Sequence, residues 1–214
     1  MARARRRAHG AAVALATAMI LALSACQAGP KDDPLVIRDD DPLKAFMFPP
    51  TRHAEWTYRR ESVGLIEAVA TVSIAVSERK KESAKLAYAI MGEDAAEITQ
   101  GIGIRGDAEI SLLPDGAVWL KDRLDERTYY PDGRVKSRKG MEVVLVGTET
   151  ITTPAGKFAC VKYRFRRGPS ADFPMRLEGT QWWGKGAGLV KAVSNVEGFS
   201  AGTRTTIELV ELEK

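Results

Sequence analysis

Histidine and cysteine are close to absent from this chain, with two of each in 214 residues. That scarcity leaves little for metal or nucleophile chemistry. A structural zinc site draws on Cys and His ligands, and here carboxylates would have to replace them. The histidines are His9 and His53, and the cysteines are Cys26 and Cys160. The chain also lacks any apolar run of the roughly 20 residues that a membrane-spanning helix needs. Its uncharged stretch from Ala11 to Leu23 is too short. An excess of one charge is missing as well. The formal +4 comes from 32 Lys+Arg against 28 Asp+Glu, but Arg3, Arg5, Arg6 and Arg7 precede the apolar stretch. Without those four the balance is 28 to 28. The basic pI therefore belongs to the first few residues and gives no ground for a nucleic-acid partner.

What is present at the N-terminus is a tripartite pattern. Arginines come first, then the apolar stretch, then Leu23-Ser24-Ala25-Cys26. This order reads as a cleaved signal and not as a transmembrane helix. Small Ser24 and Ala25 leave room for a peptidase at the bond between Ala25 and Cys26. A cysteine at that place is where bacteria attach diacylglycerol through a thioether. Cys26 is therefore the expected lipidation site, and the membrane is the expected partner through that anchor. Arg5-Arg6-Arg7 suggests twin-arginine export, but the flanking residues fit general secretion better. With Cys26 lipidated, Cys160 has no intramolecular partner and no disulfide staples the fold.

Cleavage before Cys26 leaves 189 residues, enough for one domain with a sizeable core. Residues 26–50 read as a tether. Pro34, Pro42, Pro49 and Pro50 and the clusters Asp32-Asp33 and Asp39-Asp40-Asp41 oppose compaction. Fully extended, it would reach roughly 80 Å at about 3.3 Å per residue. Leu35-Val36-Ile37 and Phe46-Met47-Phe48 interrupt it, and they are expected to dock onto the domain that follows, residues 51–214.

That domain has a period of two. Ile66, Ala68, Ala70, Val72, Ile74 and Val76 share a face, as do Leu86, Tyr88 and Ile90, and again Ile98, Ile102 and Ile104. Further strands are predicted near 117–120, 141–148, 157–166, 175–183, 189–196 and 203–212. Such alternation marks half-buried antiparallel strands. Pro114-Asp115-Gly116, Pro131-Asp132-Gly133 and Pro154-Ala155-Gly156 supply turns between them. The segment from Ser77 to Leu86 suits a short helix or, preferably, a charged hairpin. About ten strands in one meander, each rotated against its neighbour by roughly 20–25°, cannot stay flat. The expected fold is all-β: a long antiparallel meander curled into a half-barrel or barrel, with room for one short helix.

Motifs that would carry chemistry are weak. Gly101-x-Gly103-x-x-Gly106 matches a dinucleotide fingerprint, which requires a helix to follow. Asp107 to Leu112 alternate like a strand instead. Gly184-Lys185-Gly186-Ala187-Gly188 lacks the spacing of a phosphate loop and reads as a hairpin turn. Cys160 with His53 is a conceivable nucleophilic pair, but a lone strand cysteine is more often a small buried hydrophobe. Asp122, Asp125 and Glu126 lie among Lys121, Arg123 and Arg127, as at a solvated turn. Lys162-Tyr163-Arg164-Phe165-Arg166-Arg167 alternates basic with aromatic residues. It reads as a strand with aromatics inside and charges in water.

Two segments together, Pro154-Ala155-Gly156-Lys157-Phe158 and Trp182-Trp183-Gly184-Lys185-Gly186-Ala187-Gly188-Leu189-Val190-Lys191, carry P-A-G-x-F and G-x-G-L-V-K turn motifs. They resemble a group of bacterial envelope lipoproteins of unknown function, similar in fold to the lipoprotein carriers LolA and LolB. Trp56-Thr57-Tyr58 fits that group's first strand. The resemblance implies a curled β-sheet and brings no catalytic residues. The expected function is a non-enzymatic binding or assembly module in the cell envelope, with a hydrophobic ligand or an envelope protein as partner. If the host has two membranes, the outer one, facing the periplasm, is the expected site. The alternatives are a lipid or lipoprotein carrier using a concave apolar face, and a hydrolase-type enzyme. No cofactor and no metal are expected.

Overall fold

The computed structural model describes residues 42–49, 51–64, 67–92, 104–122, 125–171, 173–198 and 201–213. Ala25, Cys26 and Leu35-Val36-Ile37 lie outside the described residues, as do Ile66, Ile98, Ile102 and the first two glycines of the fingerprint. Among the described residues one short helix, α1 (Lys44–Met47), precedes twelve strands. They are β1 (Glu55–Gly64), β2 (Ala68–Arg79), β3 (Ser83–Gly92), β4 (Ile104–Leu112), β5 (Val118–Lys121) and β6 (Glu126–Tyr129). Then come β7 (Val135–Ser137), β8 (Glu142–Thr153), β9 (Gly156–Arg167), β10 (Arg176–Gly184), β11 (Gly188–Gly198) and β12 (Ala201–Glu213).

Every ladder is antiparallel, and consecutive strands pair with each other except β7 and β8. β12 returns to pair with β1, so the sheet runs from β7 through β1 and β12 to β8. The accumulated twist brings these two ends together, and the meander is a nearly closed barrel with its seam between β7 and β8. More strands form than the ten or so expected. β6 and β7 are too short for alternation to reveal them, with four and three residues.

The alternation sorts side chains as predicted. Ala70, Val72 and Ile74 of β2 are buried, and so are Leu86, Tyr88 and Ile90 of β3. Between these strands the Lys80 amide donates to the Ser83 carbonyl at 2.8 Å. The charged segment is thus a hairpin, and the helix lies elsewhere. The two Pro-Asp-Gly segments are tight turns, with Gly116 at φ 80° and Gly133 at φ 85°. Gly106 lies within β4, and Tyr88 lies across it where a Cβ would overlap the ring. No helix start follows it, so its role is close packing.

One end of the barrel is plugged. Phe46, Met47 and Phe48 are buried in the core, as docking of that apolar cluster requires. The folded unit therefore takes in residues that composition assigned to the tether. The Gly186 amide, in the turn between β10 and β11, donates to the Ala45 carbonyl at 2.9 Å. Gly186 at φ 71° and Gly188 at φ 75° let this turn fold back on itself. From β1, the Trp56 indole N–H donates to the Ala187 carbonyl and the Tyr58 hydroxyl to the Leu189 carbonyl, each at 2.9 Å. The plug therefore joins α1 and the start of β1 to a turn about 130 residues further along the chain.

Candidate binding site inside the barrel

Above the plug the inward face changes character. Along β1 the inward positions run Trp56, Tyr58, Arg60, Ser62, all buried. The ladders align these with neighbouring strands. One row crosses Tyr163, Gln181, Ala192, Ile207, Arg60 and Ala70. The next, one step further from the plug, crosses Phe165, Gly179, Ser194, Thr205, Ser62 and Ala68. Gly179 is needed because the Phe165 ring lies over it, leaving no room for a Cβ. The rest of that row is small, and Ser194, Thr205 and Ser62 in it bear hydroxyls. Ser62 and Thr205 share a hydrogen bond of 3.1 Å across the β1–β12 ladder.

Arg60 is 3% exposed. Its Nε has no hydrogen-bond partner, and neighbouring residues on its face are Ala70, Ile207, Ser62 and Tyr58. Burial lowers its pKa from the ordinary guanidinium value to about 10. Desolvation is the cause. A buried charge without a partner costs several kcal/mol.

The buried carboxylates among the described residues, Asp122 and Asp125, are engaged elsewhere. Asp122 forms a short ion pair with buried Arg127, and it accepts the Asp125 amide at 2.9 Å. Asp125 accepts the Lys139 and Glu126 amides at 2.9 and 2.8 Å and the Ser137 hydroxyl. Burial opposes the Arg127 charge, but Asp122, Tyr129 and Asp125 hold its pKa above the ordinary value. This cluster is not the solvated turn that its composition suggests. It is a buried network tying the β5–β6 turn to the link between β7 and β8. Arg167 is buried as well, with its guanidinium 4.5 Å from the Phe173 ring centroid. The basic–aromatic strand thus keeps Arg164 and Arg166 outside and sends Tyr163, Phe165 and Arg167 inward. The signal for Arg60 and Arg167 lies in the alternation itself, which continues from the aromatic residues to them.

The other candidate residues do not converge. Cys160 is buried in β9, its thiol donating to the Phe158 carbonyl at 3.5 Å. Burial pushes the thiol up to about 12, with the Ile151 backbone hydrogen bond opposing. His53 is exposed, before β1. Among the described residues no three His, Cys, Asp or Glu side chains group as a metal centre requires.

Two solved structures share this fold. One, inferred to be a lipoprotein, comes from Parabacteroides distasonis. It is 18% identical with a TM-score of 0.51, and the match covers 78% of this chain and 98% of that one. The other, inferred to be an exported protein with a YmcC-like fold, comes from Bacteroides fragilis. It is 15% identical with a TM-score of 0.53, covering 79% and 99% of the two chains. At these identities the likeness is one of fold. No family model matches the chain, and no curated protein does.

Proposed function

We propose that this chain is a lipoprotein of the bacterial envelope, anchored through Cys26 after cleavage at Ala25, and that its barrel is a non-enzymatic binding module. The observation that carries the reading is the plug. The chain passes from the expected tether straight into the barrel through Phe46, Met47 and Phe48. Tether and barrel are thus coupled at one end, and the polar half of the interior lies at the other. Secretion of the two fold neighbours' kind, exported protein and lipoprotein, fits the same address. In a host with two membranes, the module hangs from the outer one into the periplasm.

The carrier reading, by analogy with LolA and LolB, is less well supported. Trp56, Tyr58, Tyr129, Tyr163 and Phe165 are all fully buried and fill the space an acyl chain would need. A hydrolase is disfavoured because the Cys160 thiol is pushed away from ionisation, opposite to what a nucleophile requires. Two measurements test the proposal. Metabolic labelling with a clickable fatty acid is expected to mark the wild type and to leave Cys26→Ser unmarked. Crosslinking in intact cells is expected to recover an envelope protein with the lipidated chain. Equal labelling of Cys26→Ser would refute the anchor, and crosslinking without a partner would refute the module.

A further inference from the structure

We infer that Arg60 is the anchor of an oxyanion site inside the barrel, one that takes a carboxylate or a phosphate group. The inference rests on the binding-module reading and names its ligand chemistry. Three observations carry it. First, Arg60 is buried and points inward, and its Nε has no hydrogen-bond partner among the described residues. Second, the buried acids among the described residues are committed elsewhere. Asp122 and Asp125 hold Arg127, the Ser137 hydroxyl and backbone amides. Third, its surroundings suit an anion and not a cation. Ser62, Ser194 and Thr205 occupy the adjoining row, Gln181 its own, and no carboxylate stands in either.

A guanidinium presents donors in a planar fork that matches two oxygens of a carboxylate or phosphate. Hydroxyl and amide side chains can donate to the remaining oxygens. In the row beyond Arg60, Gly179, Ser194, Thr205, Ser62 and Ala68 all carry small side chains or none. The plug fills the α1 end of the interior, and Arg60 and the hydroxyl row lie further along β1, towards Gly64.

The test uses the full chain in a non-ionic detergent, with isothermal titration of three probes: inorganic phosphate, acetate and dodecyl phosphate. The wild type is expected to bind at least one of them, and Arg60→Met is expected to bind that probe at least tenfold more weakly. The same variant is expected to melt at a higher temperature than the wild type without ligand, since an uncompensated buried charge has gone. Arg60→Lys keeps the charge but loses the fork, and it is expected to bind between the two. Arg164→Gln, on the outer face, is expected to bind like the wild type. Tighter binding of dodecyl phosphate than of phosphate identifies an amphiphile's headgroup, and equal binding a free anion. No binding of any probe, or undiminished binding by Arg60→Met, overturns the site. If Arg60→Met does not fold, undiminished binding by Arg60→Lys overturns the fork. Because the assay needs neither anchor nor partner, its failure is distinct from failure of the labelling or crosslinking.

Discussion

Cys160 shows how surroundings set a residue's chemistry. Burial holds its thiol at about 12, against an ordinary value of 9.0. In the unfolded chain the proton leaves near the ordinary value, while the folded protein keeps it. The stabilisation is therefore complete below about pH 9 and is lost as pH rises from there towards 12. Denaturant titrations at pH 8 and pH 10.5 are expected to show a fall in stability that Cys160→Ala reduces. At pH 8 a thiol reagent is expected to leave Cys160 unmodified until the protein unfolds. That this cysteine is a core residue was legible from its strand position. The fates of Arg60, Arg127 and Arg167 were not. Composition treats arginine as a surface residue, and only the register of a whole strand turns these three inward. Asp122 and Asp125 were misread for the same reason, since a charged turn looks solvated until another turn closes over it.

Among the elements, α1 and the β10–β11 turn belong together. The helix is a single turn, too short to hold itself. It persists because Phe46 and Met47 are buried and because the Gly186 amide caps the Ala45 carbonyl. Phe46→Ala is expected to destabilise the protein by about 3–5 kcal/mol, the usual range for an aromatic core truncation, as measured by urea unfolding. The G-x-G-L-V-K motif announced a hairpin and nothing more. Its structural purpose, to meet α1 and the first strand, depends on contacts about 130 residues away, such as Trp56 with Ala187. No local pattern encodes that. The long strands were legible because alternation repeats in them. β6 and β7 were not, because each offers at most two inward positions.

At the scale of the molecule, the weak line is the seam. β7 and β8 share no ladder, and the short β7 faces only part of the long β8. Side chains join the two ends. Asp125 binds the Ser137 hydroxyl of β7 and the Lys139 amide beyond it, and Ser137 in turn accepts the Met141 amide at 2.7 Å. Asp125→Ala leaves these groups unsatisfied, at about 1–3 kcal/mol each where buried. Hydrogen exchange is expected to quicken first in β7 and the start of β8, while β1, β2 and β12 keep wild-type protection. Equal quickening throughout would mean that the seam is no weaker than the rest.

The pairing of β1 with β12 has a consequence in time. Ser62 and Thr205, bonded to each other, are 143 residues apart. A ribosome finishes β1 long before it begins β12, and at roughly 5–20 residues per second the wait lasts many seconds. Throughout it, β1 has one bare edge and the Trp56 and Tyr58 side chains lack the turn that receives them. Contacts of such long range also form slowly. A chain that cannot complete its barrel until β12 exists is one that stays threadable until then, as the secretion proposed above would require.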